Sequence, residues 1–160
     1  MLLYLRCLKL QRLKTRNQFQ AALAGGTVAR TSHFALHRVL LPLAVISENK
    51  STGELSGATI NSLFSVNAVW MGAMTPKRWA KRAVTRNAIK RQIYNISSEF
   101  ESVMTVAAYV VRLRSGFDKT QFPSATSDAL KAVVNRELHQ LFTRASAIAA
   151  SAILRLDVKP

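Results

Sequence analysis

KRWAKRAVTRNAIKRQI, Lys77 to Ile93, decides how this chain is read. It places seven bases between Lys77 and Arg91 and no acid. Ile89, Ile93, Ile96 and Phe100 recur at helical steps, which predicts a helix over about Trp79 to Glu101 with one apolar stripe seated on a sheet. Arg82, Arg86 and Lys90 line up beside that stripe, and Asn87 and Arg91 occupy a further face. Helices in water usually mix signs, because opposite charges four residues apart stabilise them and like charges oppose them. The balancing negative charge must therefore come from outside the helix. A solvated charged face is the plain reading of an isolated basic run. The length of this one, its lack of acids and its rigid seat favour a phosphate backbone, which suits the Arg fork and the mobile charge of Lys.

The rest of the composition agrees. A net charge of +15 on 160 residues that are 49% hydrophobic describes a folded domain with a cationic surface, and such a surface calls for a polyanion. One domain is expected over residues 1–160. The longest uncharged apolar stretch, Ala145 to Leu154, is far short of a spanning helix, and Arg6 and Lys9 interrupt the apolar start. A soluble, cytoplasmic protein without membrane contact is expected. Cys7 stands alone, which excludes an internal disulfide and a Cys-rich zinc site. His33 and His37 on one strand would lie about 13 Å apart, too far to share an ion. No carboxylate occurs in residues 1–47 or 55–98, whereas a two-metal nuclease needs several converging on one point. Neither a catalytic nor a metal-ligating set is assigned.

Along the chain, Thr15 and Gln18 fit a capping box opening a short helix that ends at Gly25-Gly26, where a positive φ can turn the chain. SHFALHRVLLP, Ser32 to Pro42, alternates as a strand. Residues 43–63 are rich in Ser, Thr, Gly and Asn and are expected to form a mobile insertion. Ser65 to Pro76 is a second strand candidate, and Tyr109 to Leu113 marks a third. A last long helix carries Leu130, Val133, Val134, Leu138, Leu141 and Phe142, with its cap among Ser124, Thr126 and Ser127. This order predicts an α/β sandwich on a small sheet.

The basic stretch resembles the signature of the protein subunit of bacterial ribonuclease P: a lysine-rich lead, Arg-Asn-Arg, a branched apolar residue and Lys-Arg. Lys77, Arg78, Lys81, Arg82, Ala83, Arg86, Asn87, Ile89, Lys90, Arg91 and Ile93 match it. Ala88 departs where a second arginine is usual, and Tyr94 where another base is common. RLKTRNQFQAAL, the Gly-Gly-Thr turn with SHFALHRV, and YVVRLRSG are similar to further parts of that family. The resemblance covers about 100 residues and leaves out 43–63 and a variable tail, 145–160. It implies a small α/β sandwich with a three- to four-stranded sheet, flanking helices and a left-handed βαβ crossover, an exception to the usual hand. That architecture is called ribosomal protein S5 domain 2-like.

The resemblance also implies roles. Catalysis would belong to an RNA subunit, and the protein would bind that RNA and the 5′ leader of precursor tRNA, with no obligate protein partner evident. Lys77, Arg78, Lys81, Arg82, Arg86, Asn87, Lys90 and Arg91 would dock the catalytic RNA, aided by the helix N-terminus. Arg12, Lys14, Phe19, His37 and Arg38 would contact the leader in a cleft between the first helix and the sheet. Phe19 is equally compatible with core packing. Leu23 and His37 stand where other members often carry aromatics. Mg2+ would be held mainly by the RNA, and the protein would lower the amount needed by screening charge.

Three other readings compete. A structural RNA-binding protein, such as a ribosomal one, shares the basic surface without needing a leader cleft. A DNA-binding module would use Arg86, Asn87 and Arg91 in a major groove, but the usual preceding helix and turn are missing before Trp79. A protein-only ribonuclease would need His37 or His139 to act without an evident partner.

Overall fold

The computed structural model describes residues 9–41, 62–124 and 127–156. Cys7, the cap candidate Thr126 and most of the expected insertion lie outside them. In chain order the elements are β1 (Gln11–Arg12), α1 (Arg16–Ala24), β2 (Thr27–Arg30), β3 (Phe34–Leu40), β4 (Trp70–Met74), α2 (Ala83–Glu99), β5 (Ala107–Leu113) and α3 (Asp128–Leu156). The strands form one sheet in the order β1-β4-β5-β3-β2. β4 and β5 are parallel neighbours, so α2 is the crossover between them. β3 runs antiparallel to β5 with Phe34 opposite Leu113 and Leu40 opposite Ala107, and β2 returns against β3.

Among the described residues, five strands stand where three to four were expected. The two additional ones have two and four residues, too short for alternation to reveal. β5 begins two residues before Tyr109, at Ala107 and Ala108, whose small buried side chains carry no strand signature. β4 is shorter than the expected span, starting at Trp70. α2 starts at Ala83 and not at Trp79, because the main-chain N-H groups of Trp79 and Ala80 both donate to the Pro76 carbonyl at 3.1 Å and close a turn first. The helix ends at Glu99, and Glu101 opens a short 3-10 turn.

The capping box forms: Gln18 N donates to Thr15 Oγ1, while Gln18 Oε1 accepts from the main-chain N-H groups of Lys14 and Thr15. Gly26 takes φ +94°, and Gly25 serves a different need, since a Cβ there would lie 2.1 Å from the Arg38 carbonyl oxygen. Ser127 caps α3, its hydroxyl accepting from Leu130 N at 3.2 Å. The residues of the expected tail continue α3 as far as Leu156.

The sheet separates two apolar clusters. On one face α2 and α3 bury Ile89, Ile93, Ile96, Val134, Leu138, Leu141 and Phe142 against Phe34, Leu36, Met71, Tyr109 and Val111. On the other, α1 covers Leu13, Trp70, Ala108 and Val110, with Phe19 and Leu23 packed at the margin. Both stripes anticipated from helical spacing are therefore the seats that fix α2 and α3.

Candidate nucleic-acid interface

α2 presents its polar side outward because its isoleucines are held on the sheet. Lys77 and Arg78 in the preceding turn, Lys81, Arg82 at the N-cap, and Asn87, Lys90 and Arg91 on the helix are all exposed. No side chain of Arg82 caps the helix, and the first turn holds no acid. Cations and the N-terminal partial charge thus add on one surface. Arg86 differs: it is half-buried, and its Nη1 donates to the carbonyls of Ala80 at 2.9 Å and Lys81 at 2.7 Å. It braces the turn that presents its neighbours.

The residues anticipated for a leader cleft divide between the two faces of the sheet. Phe19 packs against the sheet at Gly72, where a Cβ would lie 2.6 Å from its ring, and it keeps partial exposure. His37 alternates onto the same α1 side of β3, with Nδ1 3.3 Å from Thr27 Oγ1. Lys14 is exposed just before α1. Arg38 alternates to the opposite face. Arg12 also lies there, its guanidinium 4.1 Å from the centre of the Tyr94 ring on α2. Tyr94 thereby holds a cation donated by β1 at the position where a base within the helix is common in the resemblance.

Two residues that sequence reasoning missed join His37. Arg112 on β5 lies opposite Ala35, two residues from His37 and so on the same face, and its Nε is buried with no hydrogen-bond partner among the described residues. Arg30 lies on β2. Burial, then the charges of Arg112 and Arg30, hold the His37 imidazole below its ordinary pKa. This face of the sheet is accordingly a cationic, partly aromatic floor suited to a phosphate chain with unpaired bases. The available signal was the alternation in YVVRLR, which sets Arg112 apart from Val111 and Leu113. Among the described residues, no group of three His, Cys, Asp or Glu side chains is placed to hold a metal ion, and no helix is long and apolar enough to cross a membrane.

Comparison with known proteins adds a family. A model described as Ribonuclease P matches residues 8–145. The ribonuclease P protein component of a Nostoc species is 37% identical over 87 residues, covering 53% of this chain and 59% of that protein. That of Burkholderia mallei is 34% identical over 76 residues, covering 48% and 56%. These matches span less than two thirds of the length of the curated relatives. Among solved structures, the Staphylococcus aureus RNase P protein is similar in fold, with a TM-score of 0.53 at 20% identity over 82% of this chain and 92% of that one. A variant of the same protein with defective mRNA degradation activity gives a TM-score of 0.52 at 19% identity.

Proposed function

The chain belongs to the ribonuclease P protein family, and on that premise we propose that it is the RNA-binding subunit of ribonuclease P, assisting removal of the 5′ leader from precursor tRNA. The observation that carries the proposal is the acid-free cationic run from Lys77 to Arg91, fixed to the sheet by Ile89, Ile93 and Ile96 of α2. Such a surface lowers the cost of bringing phosphate backbones together and performs no bond cleavage itself. The RNA subunit is assigned the chemistry, and Mg2+ is assigned mainly to that RNA, where it would support attack of water on the phosphodiester. The partners are the catalytic RNA along α2 and the precursor tRNA, whose leader lies on the α1 side of the sheet over Phe19, His37 and Arg112. A cytoplasmic location is part of this proposal, since precursor tRNA would be met there.

The deciding experiment is precursor tRNA cleavage at low magnesium by the ribonuclease P RNA of the same organism, with and without the protein. A mature 5′ end that depends on both components supports the proposal. RNA binding that leaves cleavage unchanged overturns it in favour of a purely structural RNA-binding role, and cleavage by the protein without RNA overturns the assignment of chemistry to the RNA.

A further inference from the structure

A cavity beside the N-terminus of α2 borders the docking surface, sharing Lys81 and Arg82 with it. The turn that precedes α2 and the connection from β5 to α3 touch there: a Cβ on Gly116 would lie 3.1 Å from the Trp79 carbonyl oxygen. Between them opens a crevice of about 420 Å³ lined by Trp79, Phe117, Phe122, Lys81, Arg82 and Lys119. No acid lines it. The nearby Asp118 carboxylate instead accepts from Thr120 N at 2.9 Å within its own loop.

The aromatic lining is held in place. Phe117 stacks on His33 with centroids 4.1 Å apart, and Phe122 meets Phe117 edge-on at 5.9 Å. Trp79 retains 36% exposure, with the Arg78 guanidinium 5.1 Å from the centre of its ring. A fixed aromatic surface accepts any base face, and cations beside it accept the linked phosphate. The volume is in the range for one small ligand and too small for a duplex.

We propose that this crevice seats one unpaired nucleotide of the RNA that lies along α2, with its base against Trp79 and its phosphate held by Lys119 together with Lys81 and Arg82. The inference rests on the assignment of α2 to RNA docking, and it extends the footprint onto the β5-to-α3 connection. Lys119, which lies outside the basic helix, becomes a phosphate ligand.

The test is binding of the full chain to the ribonuclease P RNA of the same organism across a salt series. Lys119→Ala is expected to weaken binding several-fold and to reduce the slope of log affinity against log salt by about 0.7 to 0.9. Trp79→Leu is expected to weaken it about tenfold with little change in slope, while Trp79→Phe retains most of the affinity. Lys119 is exposed, so its variant serves even if the Trp79 replacements disturb folding. If Lys90→Ala weakens binding but Lys119→Ala and Trp79→Leu do not, the crevice proposal is overturned and the docking helix stands. If none of the three weakens it, the assignment of α2 itself fails. If the crevice variants lose binding of free adenosine monophosphate but not of RNA, the occupant is a small molecule and the RNA proposal is likewise overturned.

Discussion

Nη1 of Arg86 donates to the main-chain carbonyl of Lys81 at 2.7 Å, so one cation of the basic run is spent on orienting another. A second bond to the Ala80 carbonyl completes the brace. Arg86→Ala should cost about 1 to 2 kcal/mol, lowering the thermal midpoint by several degrees. Lys90→Ala, at an exposed position, should leave the midpoint unchanged and reduce the RNA salt slope by about 0.7 to 0.9. Thermal melts and a salt series on the two variants separate bracing from phosphate contact. An unchanged midpoint for Arg86→Ala would contradict the brace.

The whole surface should respond to salt as a polyelectrolyte interface. If about six phosphates are neutralised, affinity for RNA should fall by roughly 10³ between 50 and 200 mM salt. Filter binding across that range measures it, and salt-insensitive binding would contradict an electrostatic interface.

His37 should sense pH. Its folded pKa lies below the ordinary 6.5, so between those two values the unfolded chain holds more protons than the folded one. Its contribution to stability is complete above about 6.5 and is lost as pH falls through that value towards the folded pKa. A bound phosphate beside His37 would raise its pKa again, so leader affinity should strengthen on acidification from pH 7 to pH 5.5. NMR titration of the imidazole, free and with a single-stranded leader, checks both signs. His37→Phe should abolish the pH dependence while preserving stacking.

Glu137 should anchor α3. Burial pushes its carboxyl pKa up, but hydrogen bonds from the His33 side chain and main chain and from Thr31 outweigh that and hold it below the ordinary 4.5. The His33 Nδ1 to Glu137 Oε1 distance is 2.5 Å. Glu137→Ala is expected to cost about 1 to 3 kcal/mol at neutral pH. Because the folded pKa is depressed, that stabilisation is present above 4.5 and disappears as pH falls through the folded value. Melts at pH 7 and pH 3 should show the difference between wild type and variant shrinking in acid.

The paired glycines should respond to substitution for different reasons. Gly25→Ala drives a methyl into the Arg38 carbonyl, a contact that only backbone movement relieves, whereas Gly26→Ala meets open space and bears only the strain of its positive φ. Gly25→Ala should therefore lower the melting temperature more than Gly26→Ala does.

This contrast shows what sequence can and cannot convey. Local rules were sufficient for the capping box at Thr15 and Gln18, the stripes of α2 and α3, and the turn at Gly26, because each depends on residues a few positions apart. Gly25 needs a strand thirteen residues away, and β1 exists only because β4 lies beside it. The same limit governed the interface. The cationic face of α2 was legible because a helix displays its own sequence at known angles. The division of Arg12 and Arg38 from Phe19 and His37 was not, because it follows from which side of the sheet each strand residue takes once paired. Arg112 escaped notice for the same reason, and so did the partnership of Arg12 with Tyr94, which joins elements more than eighty residues apart.

Leu41 and Phe64 are buried in one apolar cluster with Ala22 of α1, and Gln18 Nε2 donates to the carbonyl of Leu63 at 2.9 Å. Leu41, Leu63 and Phe64 are thus held together by α1. Because loop-closure cost grows only logarithmically, at about 0.6 kcal/mol per doubling, two residues clamped in this way tolerate a change in the number of residues that join them. A fluorophore or affinity peptide added between Leu41 and Phe64 should therefore leave the pairing of β3 with β5 intact.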